Sequence, residues 1–184
     1  MTKDEIDWEH IHVKDLAGLI SETLHQDGIE VILVGGACVT IYSENRYISY
    51  DLDYITWEDK SKVKKSLEKL GFHEKNKHFC HPKCPYLIEL VSPPVAVGNE
   101  PVKKFEELPT AFGSLKLLRP IDCVKDRLAS FYHWNDRQAL NQAIEVCSDR
   151  SIDFAEIRRW SMEEGFENKF NVFLETFKEH QNLK

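Results

Sequence analysis

A chain of 184 residues with 42% hydrophobic and 30% charged residues has the composition of an ordinary globular protein, long enough to bury a core without disulfide staples. Its net charge of −7 counts against a surface that wraps duplex nucleic acid regardless of sequence. No run approaches the ~20 apolar residues of a membrane span. The polar opening MTKDEIDWEH has no apolar signal-peptide core. Cys38, Cys80, Cys84, Cys123 and Cys147 are odd in number and mostly scattered, so reduced thiols and a cytoplasmic setting are expected.

Leu16, Leu19, Ile20 and Leu24 recur at helical spacing within 13–26, and Asp27-Gly28 stops that helix. The β-branched run 29–34 reads as a buried strand ending in Gly35-Gly36. A short helix is expected over 37–44 and a second strand over 47–56. An amphipathic helix over 58–70 places Val63, Leu67 and Leu70 on one side, and Gly71 closes it. Two more strands, 72–79 and 86–91, are joined through Pro82 and Pro85. Residues 95–119 read as turns and short extended pieces. From Pro120 the chain reads as helical, with Ile121, Val124, Leu128, Phe131 and Tyr132 at helical intervals. Leu140, Ile144 and Cys147 mark a second helix. Ser151 is the expected cap of a third, which carries Ile157 and Trp160, and Phe170, Phe173, Leu174 and Phe177 line a fourth. The fold class is therefore α/β (α+β): a mixed twisted sheet with helices on one side, followed by a C-terminal helical bundle. The boundary falls near residue 118, separating a core over 1–118 from a helical region over 119–184. The tryptophans and clustered aromatics read as core.

Asp51 and Asp53 are two apart on an expected strand, so both project from one face while Leu52 and Tyr54 face away. Strands disfavour Asp, and like charges on one face repel unless a cation such as Mg²⁺ neutralises them. Taken alone, the pair suits a solvent-facing edge strand with ordinary acidic residues better than a metal site. Glu89 lies within the apolar run 86–91, where a charge needs a partner or a metal unless its position is an edge facing water. Gly35-Gly36 after a strand lets backbone N–H groups approach a phosphate, and also suits a plain tight turn.

Together, Val34-Gly35-Gly36-Ala37, then Tyr50-Asp51-Leu52-Asp53-Tyr54-Ile55, then Glu89 resemble the DNA polymerase β-like nucleotidyltransferase superfamily across residues 29–91. The stretch from Leu118 through Arg119, Pro120 and Lys125 to Leu128 looks like the helical part of its small bacterial members, the minimal and abortive-infection-toxin types. Two departures stand out. Ala37 replaces a second small hydroxyl residue near the glycines, and Glu89 stands where Asp is common. The resemblance implies transfer of a nucleoside monophosphate from an NTP such as ATP to an acceptor hydroxyl of a tRNA, a protein or a small molecule, with release of pyrophosphate. It implies two Mg²⁺ (or Mn²⁺) ions held by Asp51, Asp53 and Glu89. It also implies triphosphate contacts from Gly35, Gly36, Lys125 and Arg127, with Asp136-Arg137 able to orient one of these cations and Arg46 near the substrate entrance. The alternative is a non-catalytic nucleotide- or partner-binding member, such as one half of a toxin–antitoxin pair.

Two features stand apart from that set. His73, His78, Cys80, His81 and Cys84 could serve Zn²⁺, although no second Cys/His pair lies at the usual distance, and a hairpin beside the active site suits them better. Lysines 60, 62, 64, 65, 69, 75, 77 and 83 bias one stretch positive, as a solvated helix face and hairpin or as a local basic patch.

Overall fold

The computed structural model describes residues 6–182. In chain order its elements are α1 (Val13–Gln26), β1 (Ile32–Val34), α2 (Gly36–Tyr42), β2 (Asp51–Ile55), α3 (Lys60–Glu68), β3 (His73–Lys75), β4 (His78–Cys80), β5 (Leu87–Val91), β6 (Ala96–Val97), β7 (Glu100–Pro101), β8 (Phe105–Thr110), β9 (Gly113–Leu118), α4 (Pro120–Trp134), α5 (Arg137–Asp149), α6 (Phe154–Glu163) and α7 (Glu167–Asn182). The main sheet is mixed, seven-stranded and ordered β3-β4-β5-β2-β1-β9-β8, while β6 and β7 form a small hairpin of their own. β2 pairs antiparallel with β1 and parallel with β5.

Strand alternation sorts the side chains. Leu33 pairs with Tyr54 and Leu117, and Leu52 with Ile88, itself beside Phe79, so these residues share one face and all are buried. α1 and α3 cover that face. The Tyr54 hydroxyl donates to the Ala17 carbonyl at 3.0 Å, and Ser66 of α3 donates to Thr23 of α1 at 3.3 Å. The opposite face carries Val34, Asp53, Glu89 and His78 in one row and Asp51, Leu87, Cys80 and His73 in the next. Beyond β9, α4 and α5 pack on one another. The Tyr42 hydroxyl of α2 donates to the Leu118 carbonyl at 2.6 Å, and Arg150, just after α5, donates to the Tyr42 carbonyl at 3.2 Å.

Several expectations are corrected. The first strand spans only Ile32–Val34. The expected strand 72–79 is a hairpin, broken at Asn76, whose φ of 59° reverses the chain. Residues 95–119 supply four strands, and β9 joins the sheet beside β1 in parallel, through Leu33 and Leu117. Pro109 and Gly113 had suggested turns, but β8 is an edge strand, where proline is tolerated. Asp153, not Ser151, caps α6, its Oδ1 accepting from the Ala155 and Glu156 N–H groups at 2.9 and 3.2 Å. Trp160 is core, whereas Trp57 and Trp134 are exposed.

Candidate active site

The register assembles the carboxylates. Asp53 lies opposite Val34 on one side and Glu89 on the other, and Asp51 lies two residues before it on the same face. β2 and β5 are both interior strands, which removes the edge-strand explanation for all three acids. Asp51 is exposed, and Asp53 and Glu89 are half-buried. Burial, followed by the nearby charges of Glu89 and Asp51, pushes the Asp53 carboxyl up to about 6, against the opposing charge of Arg127. Glu89 is turned the other way, its Oε2 3.2 Å from His78 Nε2.

Gly35 forms the tight corner between β1 and α2, with φ 69° and ψ −151°, a conformation open essentially to glycine alone. A Cβ there would strike Asp53 Oδ2 and stand 3.2 Å from its Cγ, so the absent side chain is the space the carboxylate occupies. At Gly36 a Cβ would stand 2.9 Å from Ser49 Oγ. Ser49 and Thr40, unnoticed in the sequence, lock the glycine corner to the acidic strand. Ser49 Oγ donates to the Asp51 carbonyl at 3.0 Å, Ser49 N–H donates to Thr40 Oγ1 at 2.9 Å, and the Thr40 hydroxyl donates to the Gly36 carbonyl at 3.3 Å. Their signal was weak, since single hydroxyl residues in a loop and a helix carry no spacing rule.

The cations separate. Arg127 is mostly buried, with Nε 3.1 Å from Asp126 Oδ2 and Nη1 3.3 Å from Gln142 Oε1, and its charge is felt at Asp53. Lys125 does not join the site. Its side chain is 3% exposed and its ammonium pairs with Glu100 at 3.1 Å and Glu156 at 2.7 Å, over the Trp160 ring. Asp136 is spent as the α5 cap, accepting from the Gln138 and Ala139 N–H groups, and Arg137 stacks over Phe131. Arg46 is likewise committed, bonding Glu145 and Asp149 and so tying the loop before β2 to α5.

Asp51, Asp53 and Glu89 are oxygen donors on one face whose mutual repulsion no adjacent cation cancels fully, which suits a hard divalent ion in chemistry. As the side chains stand, no three Asp, Glu, His or Cys groups among the described residues converge to hold a metal. Glu89 would have to leave His78 to complete the set. The His/Cys group of 73–84 is dispersed too. His73 stands beside Cys80, His78 faces Glu89, and His81 lies against Trp8 and Phe72 with ring centroids 4.3 and 5.3 Å apart.

No protein-family model matches the chain, and no curated protein matches it in sequence. Among solved structures, an antigenic nucleotidyltransferase-like protein from Paracoccidioides brasiliensis superposes with a TM-score of 0.55 at 16% identity, covering 74% of each chain. The antibiotic-resistance factor ANT(2'')-Ia aligns over 90% of this chain and 94% of its own, with 12% identity and a TM-score of 0.46. The likeness to the first establishes the fold, an α/β mixed sheet of the nucleotidyltransferase type; the register puts Asp51, Asp53 and Glu89 on the face away from α1 and α3.

Proposed function

We propose that the chain is a metal-dependent nucleotidyltransferase that moves a nucleoside monophosphate from an NTP to an acceptor hydroxyl. The observation that carries this reading is the meeting of Asp53 with Gly35. A half-buried carboxylate, its charge opposed by two neighbours, fills the space left by a glycine corner on a sheet of nucleotidyltransferase type. Asp51 and Asp53 would hold two Mg²⁺ or Mn²⁺ ions between them, with Glu89 completing the set on the acceptor side. Bound there, the ions would lower the acceptor hydroxyl's pKa and offset charge on the triphosphate.

The acceptor oxygen forms its bond to the α-phosphorus as the α–β bridging bond breaks. The electron pair of that bond leaves with pyrophosphate, and the hydroxyl proton passes to solvent. Gly35 and Gly36 would offer backbone N–H groups to the phosphates, and Arg127, held by Asp126 and Gln142, would add fixed positive charge without reorganising. In this reading the boundary near residue 118 divides a catalytic core from a helical region that contributes Arg127, and the protein works in the cytoplasm.

The test is incubation with each labelled NTP, Mg²⁺ or Mn²⁺, and a cell extract, followed by identification of the labelled acceptor. Asp51→Asn and Asp53→Asn are expected to lower transfer about a thousandfold or more while keeping the native circular dichroism spectrum. Undiminished labelling in both variants would remove the metal assignment.

A further inference from the structure

Every residue of α2 is buried, and Thr40, fully enclosed, carries that helix's one aliphatic hydroxyl. A valine of the same shape would fill the space with no polar atom to satisfy, so the role of the hydroxyl lies in its bonds. Thr40 Oγ1 donates to the Gly36 carbonyl at 3.3 Å and accepts from the Ser49 N–H at 2.9 Å. The Thr40 carbonyl also accepts from the Asn45 N–H at 3.0 Å. One residue thus holds the glycine corner, the turn after α2 and the approach to β2. The loop between is pinned as well. Glu44 and Asn45 turn the chain with φ of 52° and 67°, and the Tyr47 N–H donates to Ser43 Oγ at 3.4 Å.

Ser49 carries the connection to the acids. Its Oγ donates to the Asp51 carbonyl at 3.0 Å and accepts from the Asp51 N–H at 3.4 Å, so both backbone polar groups of Asp51 turn to one hydroxyl. The register explains why. β1 pairs with β2 only as far as Val34 opposite Asp53. Continued by two residues, it would set Asp51 opposite Gly36, but there the chain has already turned into α2. The Thr40 and Ser49 bonds span the gap where the ladder stops. Close packing backs them. A Cβ at Gly36 would stand 2.9 Å from Ser49 Oγ and 3.2 Å from its Cβ, and a Cβ at Gly35 would strike Asp53. The corner and the acidic strand therefore meet at two points, and neither shifts without moving the other.

We propose that Thr40 and Ser49 are positioning residues that set the spacing between the glycine corner and the carboxylates of Asp51 and Asp53. This rests on the transferase reading and says what keeps the two halves of its site in place. Two-metal transfer leaves little slack, since its ions sit about 3.5–4 Å apart. A displacement of ~1 Å among reacting groups costs about a hundredfold in rate. Asp51 is exposed and has no β1 partner, so its placement on that side depends on backbone bonds rather than on side-chain packing. Ligands held by a supporting shell lose metal affinity when that shell is removed, even though no ligand atom is touched.

The test is the Mn²⁺ affinity of the full chain, read from the electron paramagnetic resonance signal of the free ion at fixed pH, beside the melting temperature of each variant in EDTA. Thr40→Val keeps the shape and removes the hydroxyl, and is expected to weaken Mn²⁺ binding about tenfold. Thr40→Ser keeps the hydroxyl and loses a buried methyl, so it is expected to melt lower yet bind Mn²⁺ as wild type does. Ser49→Ala is expected to follow Thr40→Val, and supplies the reading should Thr40→Val fail to fold. Wild-type Mn²⁺ affinity in the folded hydroxyl-deleted chains would overturn the proposal. So would equal losses in Thr40→Ser and Thr40→Val, the pattern of a residue that matters only for packing. Joint Asp51→Asn and Asp53→Asn substitution keeps the two readings apart. If wild type binds Mn²⁺ through those carboxylates and the hydroxyl-deleted chains bind it equally well, this proposal falls and the transferase reading stands. If wild type binds no more Mn²⁺ than the doubly substituted chain, the transferase reading falls and the proposal falls with it.

Discussion

Asp53 is a carboxylate in a place unfavourable to its own charge. Burial comes first among the causes, then Glu89, then Asp51, and the carboxyl is pushed from 3.8 to about 6. A carboxyl whose pKa is higher in the folded chain binds its proton more tightly there. The penalty on the fold therefore grows as pH rises from 3.8 towards 6 and is complete above that. Near neutral pH the shift corresponds to at most about 3 kcal/mol, and partial exposure reduces this to about 1–2 kcal/mol. Asp53→Asn removes the charge and keeps the shape. In the presence of EDTA its melting temperature should lie about 3–6 °C above wild type. The same variant should lose transferase activity, so stability and function would move in opposite directions. An unchanged or lower melting temperature would mean that Arg127 or another cation already balances the ionised carboxylate.

Elements differ in how far their sequence announces them. α1 and α3 were legible because apolar side chains recur at helical spacing, and β2 because Asp51 and Asp53 alternate with buried Leu52 and Tyr54. β8 and β9 were not, because Glu106, Glu107, Pro109 and Gly113 hide the alternation that pairing with β1 and burial of Leu115 and Leu117 later supply. Lys125 was misplaced for a related reason. Its partners Glu100 and Glu156 lie 25 and 31 residues away, and no local spacing reveals a pair closed by tertiary packing. That pair joins β7, α4 and α6, with Arg159 reinforcing it. The Arg159 and Lys125 hydrogen bonds, set against burial, hold the Glu156 carboxyl at about 2, below its ordinary 4.5. A depressed carboxyl stabilises the fold at pH above 4.5, and the contribution is lost as pH falls towards 2. Glu156→Gln should therefore be less stable than wild type in urea at neutral pH, and the gap should close across that acidic window. A gap that persists at the acid end would assign the loss to packing.

Across the whole molecule, the acidic strand and the C-terminal helices depend on one another despite the change of character near residue 118. β1 is sandwiched between β2 and β9, and β9 runs directly into α4. Tyr42 of α2 is held from both sides, donating to Leu118 and accepting from Arg150. Arg46, in the loop that leads to Asp51, reaches Glu145 and Asp149 of α5. Cys38, Val39 and Tyr42 of α2 are buried, as are Cys123, Val124 and Leu128 of α4 and Ala143, Ile144 and Cys147 of α5, all in one continuous core. Cutting the chain after Leu118 would leave α2 without those partners and expose an apolar surface on the helix that follows the glycine corner. Each large side chain returned to water forfeits about 1.5–3 kcal/mol, so the loss of even a few approaches the whole stability of a domain this size. A chain ending at Leu118 is therefore expected to show no cooperative urea transition and to bind a hydrophobic dye, whereas the full chain is expected to unfold in one step with a single m-value. A sharp two-state transition from the shortened chain would establish the region before residue 119 as an independent folding unit, with the helices an addition to a site already formed.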